Sequence, residues 1–127
     1  MIRLPEARQL EKQLDPAALA EIAQLSAAIG RNVFRKLEDN FISDLSGRVD
    51  LITAALESSN MSQLALATHP LGGSSAIVGA KQFSDVCRKV EQHARDGDVV
   101  QANSFGRELL EAAQILPSAL LRAADYR

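Results

Sequence analysis

The sequence predicts an all-α protein, an antiparallel up-and-down four-helix bundle with a short N-terminal capping helix. Three observations carry this expectation. Aromatic residues make up only 4% of the 127-residue chain and β-branched runs are missing, while alanine and leucine recur throughout, a composition that favours helix over strand. Apolar residues return every three or four positions in successive segments, the period of a helix with one buried face. The long segments are joined by links of a few residues, and short links bring consecutive helices together antiparallel.

Each element has its own signals. Residues 1–14 hold Leu4, Leu10 and Leu14, a sparse pattern that fits either an N-terminal extension or a further short helix; the domain proper is expected over residues 15–127. Asp15-Pro16 sets a capping carboxylate before a proline at the first helical position, and Leu19, Ile22 and Leu25 follow at helical spacing. A long second helix is predicted from about residue 31 to residue 58 by Val33, Leu37, Phe41, Leu45, Val49, Ile52 and Leu56. Asn60 caps a third helix, Met61 to about Val78, which stops at Gly79, a residue suited to the left-handed conformation that ends helices. The fourth carries Phe83, Val86, Cys87, Val90 and Ala94 on one stripe and stops at Asp96-Gly97. Asp98 caps the fifth, whose stripe is Val99, Ala102, Phe105, Leu109, Leu116 and Leu120, and where Pro117 marks either a kink or an end.

Composition also excludes function classes. Fourteen Lys and Arg against sixteen Asp and Glu give a net charge of -2, so the chain has no basic field for binding nucleic acid through its phosphates. No apolar stretch approaches the roughly 18 residues of a membrane helix, and the N-terminus lacks the charged start and apolar run of a signal peptide. The expected location is the cytoplasm, with neither nucleic acid nor membrane as partner. Cys87 is the only cysteine, and with His69 and His93 as the only histidines no spacing resembles a zinc site, so no metal site is expected.

Local rules fail in the middle of the third helix, Ala65-Leu66-Ala67-Thr68-His69-Pro70-Leu71-Gly72-Gly73-Ser74-Ser75-Ala76. A proline inside a helix costs on the order of 3 kcal/mol and each glycine about 1 kcal/mol relative to alanine, and such local violations mark functional sites. At 100° per residue, Leu64, Ala67, Leu71, Ser74 and Val78 fall within about 40° of one direction, which makes them the core-facing stripe. His69 points the opposite way. Around it the wheel places the small residues Ala65, Gly72, Gly73 and Ala76, flanked by Leu66 and Ile77. The expected result is a solvent-facing imidazole on a flat surface that a partner's backbone can approach, with Ala65, Leu66, Gly72, Gly73 and Ala76 as the partner-binding residues.

An exposed neutral imidazole is a nucleophile near pH 7 and can accept a phosphoryl group. Phosphoryl transfer needs positioning and charge neutralisation, and the chain has neither a G-x-x-x-x-G-K-[ST] loop nor an acidic cluster beside His69 to hold magnesium. A partner must supply those parts.

The run Ala67-Thr68-His69-Pro70-Leu71-Gly72-Gly73-Ser74-Ser75-Ala76-Ile77-Val78-Gly79-Ala80 resembles the signature of histidine-containing phosphotransfer (HPt) domains, A-H-x-L-K-G-S-S-x-x-x-G-A. The similarity extends from Leu14-Asp15-Pro16, through the long second helix, to the Ala94-Arg95-Asp96-Gly97-Asp98 turn. The resemblance implies a four-helix bundle whose exposed histidine carries phosphate between receiver-domain aspartates in a two-component phosphorelay. It makes His69 the phospho-accepting residue and Gly73 the glycine that lets a receiver come near. The implied partners are response-regulator receiver domains and a sensor histidine kinase. No cofactor is implied for this chain, and Mg2+ is expected in the receiver. The resemblance thus implies a phosphotransfer intermediate without kinase machinery.

Two positions depart from the family pattern. Its usual lysine three residues after the histidine is Gly72 here, which removes a cation expected to neutralise phosphoryl oxygens, and Pro70 replaces a helix-compatible residue. Arg35, Lys36 and Arg88 are candidate substitute cations. The missing lysine motivates an alternative function, a degenerate bundle that binds a receiver or partner helix without carrying phosphate. His93 is expected to interact with carbonyls at the end of its helix. Cys87 is expected to be buried and inert, and Arg88, Lys89 and Glu91 to form a solvated face.

Overall fold

The computed structural model describes residues 16–123, and every element in it is helical: α1 Pro16–Ile29, α2 Arg31–Glu57, α3 Met61–Ile77, α4 Lys81–Arg95 and α5 Val99–Ala123. Among the described residues there is no strand. The expectation for residues 1–14 and the Asp15 cap lie outside the described residues.

The ends of the helices follow from side-chain chemistry. The Asn60 side chain accepts a hydrogen bond from the Gln63 N–H at 3.1 Å, and Asp98 Oδ1 accepts from the Gln101 N–H at 3.1 Å, satisfying donors that a first helical turn leaves unpaired. Gly79 and Gly97 adopt φ of +88° and +76° just past α3 and α4. That conformation lets the Ala80 N–H reach the Ser75 carbonyl and the Asp98 N–H reach the His93 carbonyl, both at 2.9 Å. α1 and α2 are separated by Gly30 alone, also at positive φ.

Consecutive long helices pack on one another, and α2 also meets α5, so that α2 to α5 enclose a shared core. Leu64, Leu71, Phe83, Val90, Leu109 and Leu116 are completely buried there. The Phe41 and Phe83 rings meet edge to face at 6.2 Å, tying α2 to α4. A Cβ at Gly106 would lie 2.8 Å from Leu56 Cδ2, so a side chain there would have to displace the leucine that α2 lays against α5. α1 packs on α2, and its Ile22 side chain fills the space beside Gly79.

Three apolar positions differ from the predicted stripes. Val33 is exposed and Phe34 is buried instead; Leu25 and Val99 are each more than a third exposed. All three lie near the junctions of α1 with α2 and of α4 with α5, where the buried direction is set by the neighbouring helix and not by the period of a single one. Pro117 lies inside α5, so it does not end the helix. No described helix is long and apolar enough to cross a membrane.

Candidate functional site

α3 contains Pro70 and both glycines without breaking. Proline removes the hydrogen bond to the Leu66 carbonyl, but Leu66, His69 and Pro70 are all exposed, so the freed carbonyl lies on the solvent side, where it is cheapest to leave unpaired. On the opposite side the buried hydroxyls are satisfied within the helix. Thr68 Oγ1 donates to the Leu64 carbonyl at 2.9 Å, and Ser75 Oγ to the Leu71 carbonyl.

Leu64, Ala67, Leu71 and Val78 are buried as the wheel required, and Ser74 is half-buried. The buried arc of α3 is nevertheless wider than that stripe. Ala65 is 4% exposed, Gly72 is buried, and Thr68 and Ser75 are fully enclosed. Ala65 and Gly72 therefore do not belong to the outward surface where the sequence placed them. The physical reason is that α3 is covered by two neighbours, α2 on one flank and α4 on the other, and a single-helix wheel allows for only one. Leu66, at 62% exposure, and Gly73 do face outward, while Ala76 is half-buried at the edge. A Cβ at Gly73 would meet nothing within 4 Å.

Gly72 marks the crossing of α3 and α4. A Cβ there would lie 3.8 Å from Cys87 Cβ and 3.6 Å from Arg88 Cγ, and the Gly72 carbonyl accepts a hydrogen bond from Ser84 Oγ at 2.6 Å. Moving back along α3 moves forward along α4, and one turn from Gly72 this register brings His69 to Glu91. The His69 side chain is 69% exposed, and its Nδ1 lies 2.8 Å from Glu91 Oε2. The same carboxylate oxygen accepts from Arg95 Nε at 2.9 Å and lies 2.7 Å from Arg95 Nη2.

The site's electrostatics follow from these contacts. Partial burial works to raise the Glu91 pKa, but hydrogen bonds from Arg95 and His69, with their charges, outweigh it and hold the carboxyl below its ordinary value. An ionised carboxylate only accepts hydrogen bonds, so the His69–Glu91 contact requires the proton on Nδ1. The lone pair of the neutral ring is then on Nε2. Glu91 thus belongs to the site and not to a solvated face. It follows Ser84 and Cys87 at helical spacing, a signal that puts it on the edge of the α4 stripe; what the sequence lacks is the register that pairs it with His69.

The remaining candidates separate clearly. The His93 ring stacks on Phe105 at 5.4 Å with an interplanar angle of 3°, and its Nδ1 is 3.8 Å from Asp98 Oδ2, which ties it to α5. Cys87 is fully buried, and burial pushes its thiol up to about 12, the nearby Arg88 charge offsetting part of the shift. Of the candidate cations, Arg88 lies across Gly72, whereas no described contact brings Arg35 or Lys36 to His69. Among the described residues no group of three or more His, Cys, Asp or Glu is arranged to hold a metal ion.

Comparison with known proteins gives the fold and the family. The fold is similar to that in the crystal structure of histidine-containing phosphotransfer protein B (HptB) from Pseudomonas aeruginosa PAO1, with a TM-score of 0.72 and 23% sequence identity over 91% of this chain and 97% of that one. No curated protein matches the chain. The family model of the Hpt domain matches residues 36–121, about two-thirds of the sequence and all of α3 and α4, so the chain belongs to the Hpt domain family.

Proposed function

We propose that the protein is a phosphoryl carrier in a multistep His-Asp relay, in which His69 takes the phosphoryl group from one receiver-domain aspartate and passes it to another. The observation that carries this reading is the exposed imidazole held by Glu91 through Nδ1, with Nε2 directed away from that contact as the nucleophile. In the accepting step the Nε2 lone pair forms the N–P bond while the P–O bond to the aspartate breaks. The bonding electrons leave with the aspartate carboxylate. The Nδ1 proton stays on the ring, where Glu91 stabilises the positive charge that develops.

The receiver docks, in this reading, along the exposed side of α3, where Leu66, His69, Gly73 and Ile77 succeed one another with Ala76 at the edge. Gly73 leaves room for close approach, and Leu66 and Ile77 offer apolar contact on either side. The receiver brings the magnesium, and a sensor histidine kinase stands upstream. The chain itself acts without a cofactor, as a carrier and not a kinase. The domain spans residues 15–127 and sits in the cytoplasm, with α2 to α5 as an up-and-down antiparallel bundle and α1 as its cap.

Mixing the protein with phosphorylated receiver domains and following the label tests this reading. Label is expected on the wild-type chain at His69. A chain that binds the receivers but takes no label is instead a docking module, the role that the absence of a lysine at position 72 would favour.

A further inference from the structure

A phosphoryl group on His69 would bring nearly two negative charges to a helix that has no Lys, Arg, Asp or Glu from Met61 to Ile77. The carboxylate already touching the ring, Glu91, has the same sign as the incoming group. The helix that brings Glu91 to His69, α4, carries four cations: Lys81, Arg88, Lys89 and Arg95. Arg95 is held by the Glu91 carboxylate through two nitrogens, and the Lys89 ammonium sits over the Phe105 ring, 5.3 Å from its centroid. Arg88 is the cation at the crossing of the two helices. Its Cγ is 3.6 Å from the point where a Cβ would stand on Gly72, so its aliphatic stem lies against the bare backbone one helical turn from His69. The residue is exposed, leaving its head free to move.

We infer that Arg88 is the phosphoryl-binding cation of this protein, its stem laid across Gly72 and its guanidinium reaching the oxygens of a phosphoryl group on Nε2 of His69. Residues three apart on a helix have Cβ positions about 5–6 Å from each other, a span that the bonds beyond Cγ of an arginine can cover. Guanidinium is a donor in a rigid planar fork, suited to two phosphoryl oxygens at once, and it exchanges no proton during transfer. Gly72 acquires a specific role in this arrangement. A methyl group there would only touch the arginine stem, whereas a long side chain would take its path.

The inference rests on the carrier reading, and the two can fail separately. The probe is phosphoramidate, a small donor that needs no docking surface, with 31P NMR following formation, pH titration and decay of phosphohistidine. Arg88→Met keeps the stem and removes the charge, Arg88→Lys restores a charge without the fork, and Lys89→Met is the control for losing a cation elsewhere on α4. Arg88→Met is expected to slow phosphorylation about three- to tenfold and to raise the second pKa of the phosphoryl group by about half a unit. Arg88→Lys should recover part of both, and Lys89→Met neither. Equal titration and rate in Arg88→Met and the wild type, or an equal change in Lys89→Met, overturn the role of Arg88 and leave the carrier reading intact. A wild-type chain that accepts phosphate neither from phosphoramidate nor from a phosphorylated receiver overturns both.

Discussion

α3 and α4 lie side by side and divide the chemistry between them. α3 carries His69, the proposed nucleophile, on a helix without Lys, Arg, Asp or Glu, interrupted by Pro70 and paired glycines; α4 is a regular amphipathic helix that carries Arg88, Glu91 and Arg95. Neither is a site alone. The imidazole needs a carboxylate to fix its proton, and that carboxylate reaches it only because the crossing at Gly72 sets the register of the two helices. In the proposed carrier role, the difference gives a reason for α3 to depart from helix rules while α4 obeys them: one would present an uncluttered face to a receiver, and the other holds charge behind it.

The largest effect should come from removing the α3 half. His69→Gln keeps polarity and approximate size at an exposed position but lacks the nucleophilic nitrogen, so phosphoryl acceptance should disappear while the thermal unfolding curve stays in place. Label still arriving at the normal rate from an aspartyl-phosphate donor would move the assignment to His93. Removing the α4 half should weaken transfer without abolishing it. Glu91→Gln retains a hydrogen-bond acceptor but loses the charge that fixes the proton on Nδ1, and transfer should slow on the order of tenfold. 15N chemical shifts of the ring should show the tautomer balance moving toward Nε2–H; unchanged shifts would disconnect Glu91 from the nucleophile.

The same carboxylate sharpens the comparison through pH. Its pKa in the folded chain is below the ordinary 4.5, so the stabilisation from its contacts is complete above that value and is lost as pH falls through the lowered one. Acid unfolding of Glu91→Gln should lack this contribution, which chemical denaturation between neutral and acidic pH would reveal. The smallest effect belongs to the bare surface of α3. Gly73→Ala places a methyl group in open space and should stabilise the fold by about 0.5–1 kcal/mol. Gly79→Ala provides the contrast, since its positive φ and the Ile22 side chain both oppose a Cβ, and it should destabilise by more than 1 kcal/mol. Denaturant midpoints measure both.

Much of this architecture is legible in the amino-acid sequence because it rests on local chemistry. Asn60, Gly79, Asp98 and Gly97 mark helix ends by their own side chains or backbone freedom, and the α3 wheel puts His69 outward. The burial of Ala65 and Gly72 is not legible in the same way. It depends on how closely α4 approaches, and at this crossing Ser84 Oγ donates to the Gly72 carbonyl. Glu91 is hidden for the same reason. Twenty-two residues separate it from His69, and no periodicity within either helix encodes which turn of one will face which turn of the other. Phe34 in place of Val33 is a smaller instance, one residue's rotation at the start of α2.

The seat of Ile22 beside Gly79 also bears on how the molecule opens. α1 packs on α2 and meets the α3–α4 turn through this isoleucine; among its described side chains Ile22 and Ser26 are buried, while Leu25 and Ile29 are exposed. The long helices share a core of completely buried leucines and phenylalanines. Hydrogen exchange should therefore divide the chain into two cooperative units, with α1 amides exchanging through a low-energy local opening and the centres of α3 and α4 only through global unfolding. His69 and Glu91 belong to the slower unit, and their alignment survives each excursion of the N-terminal helix.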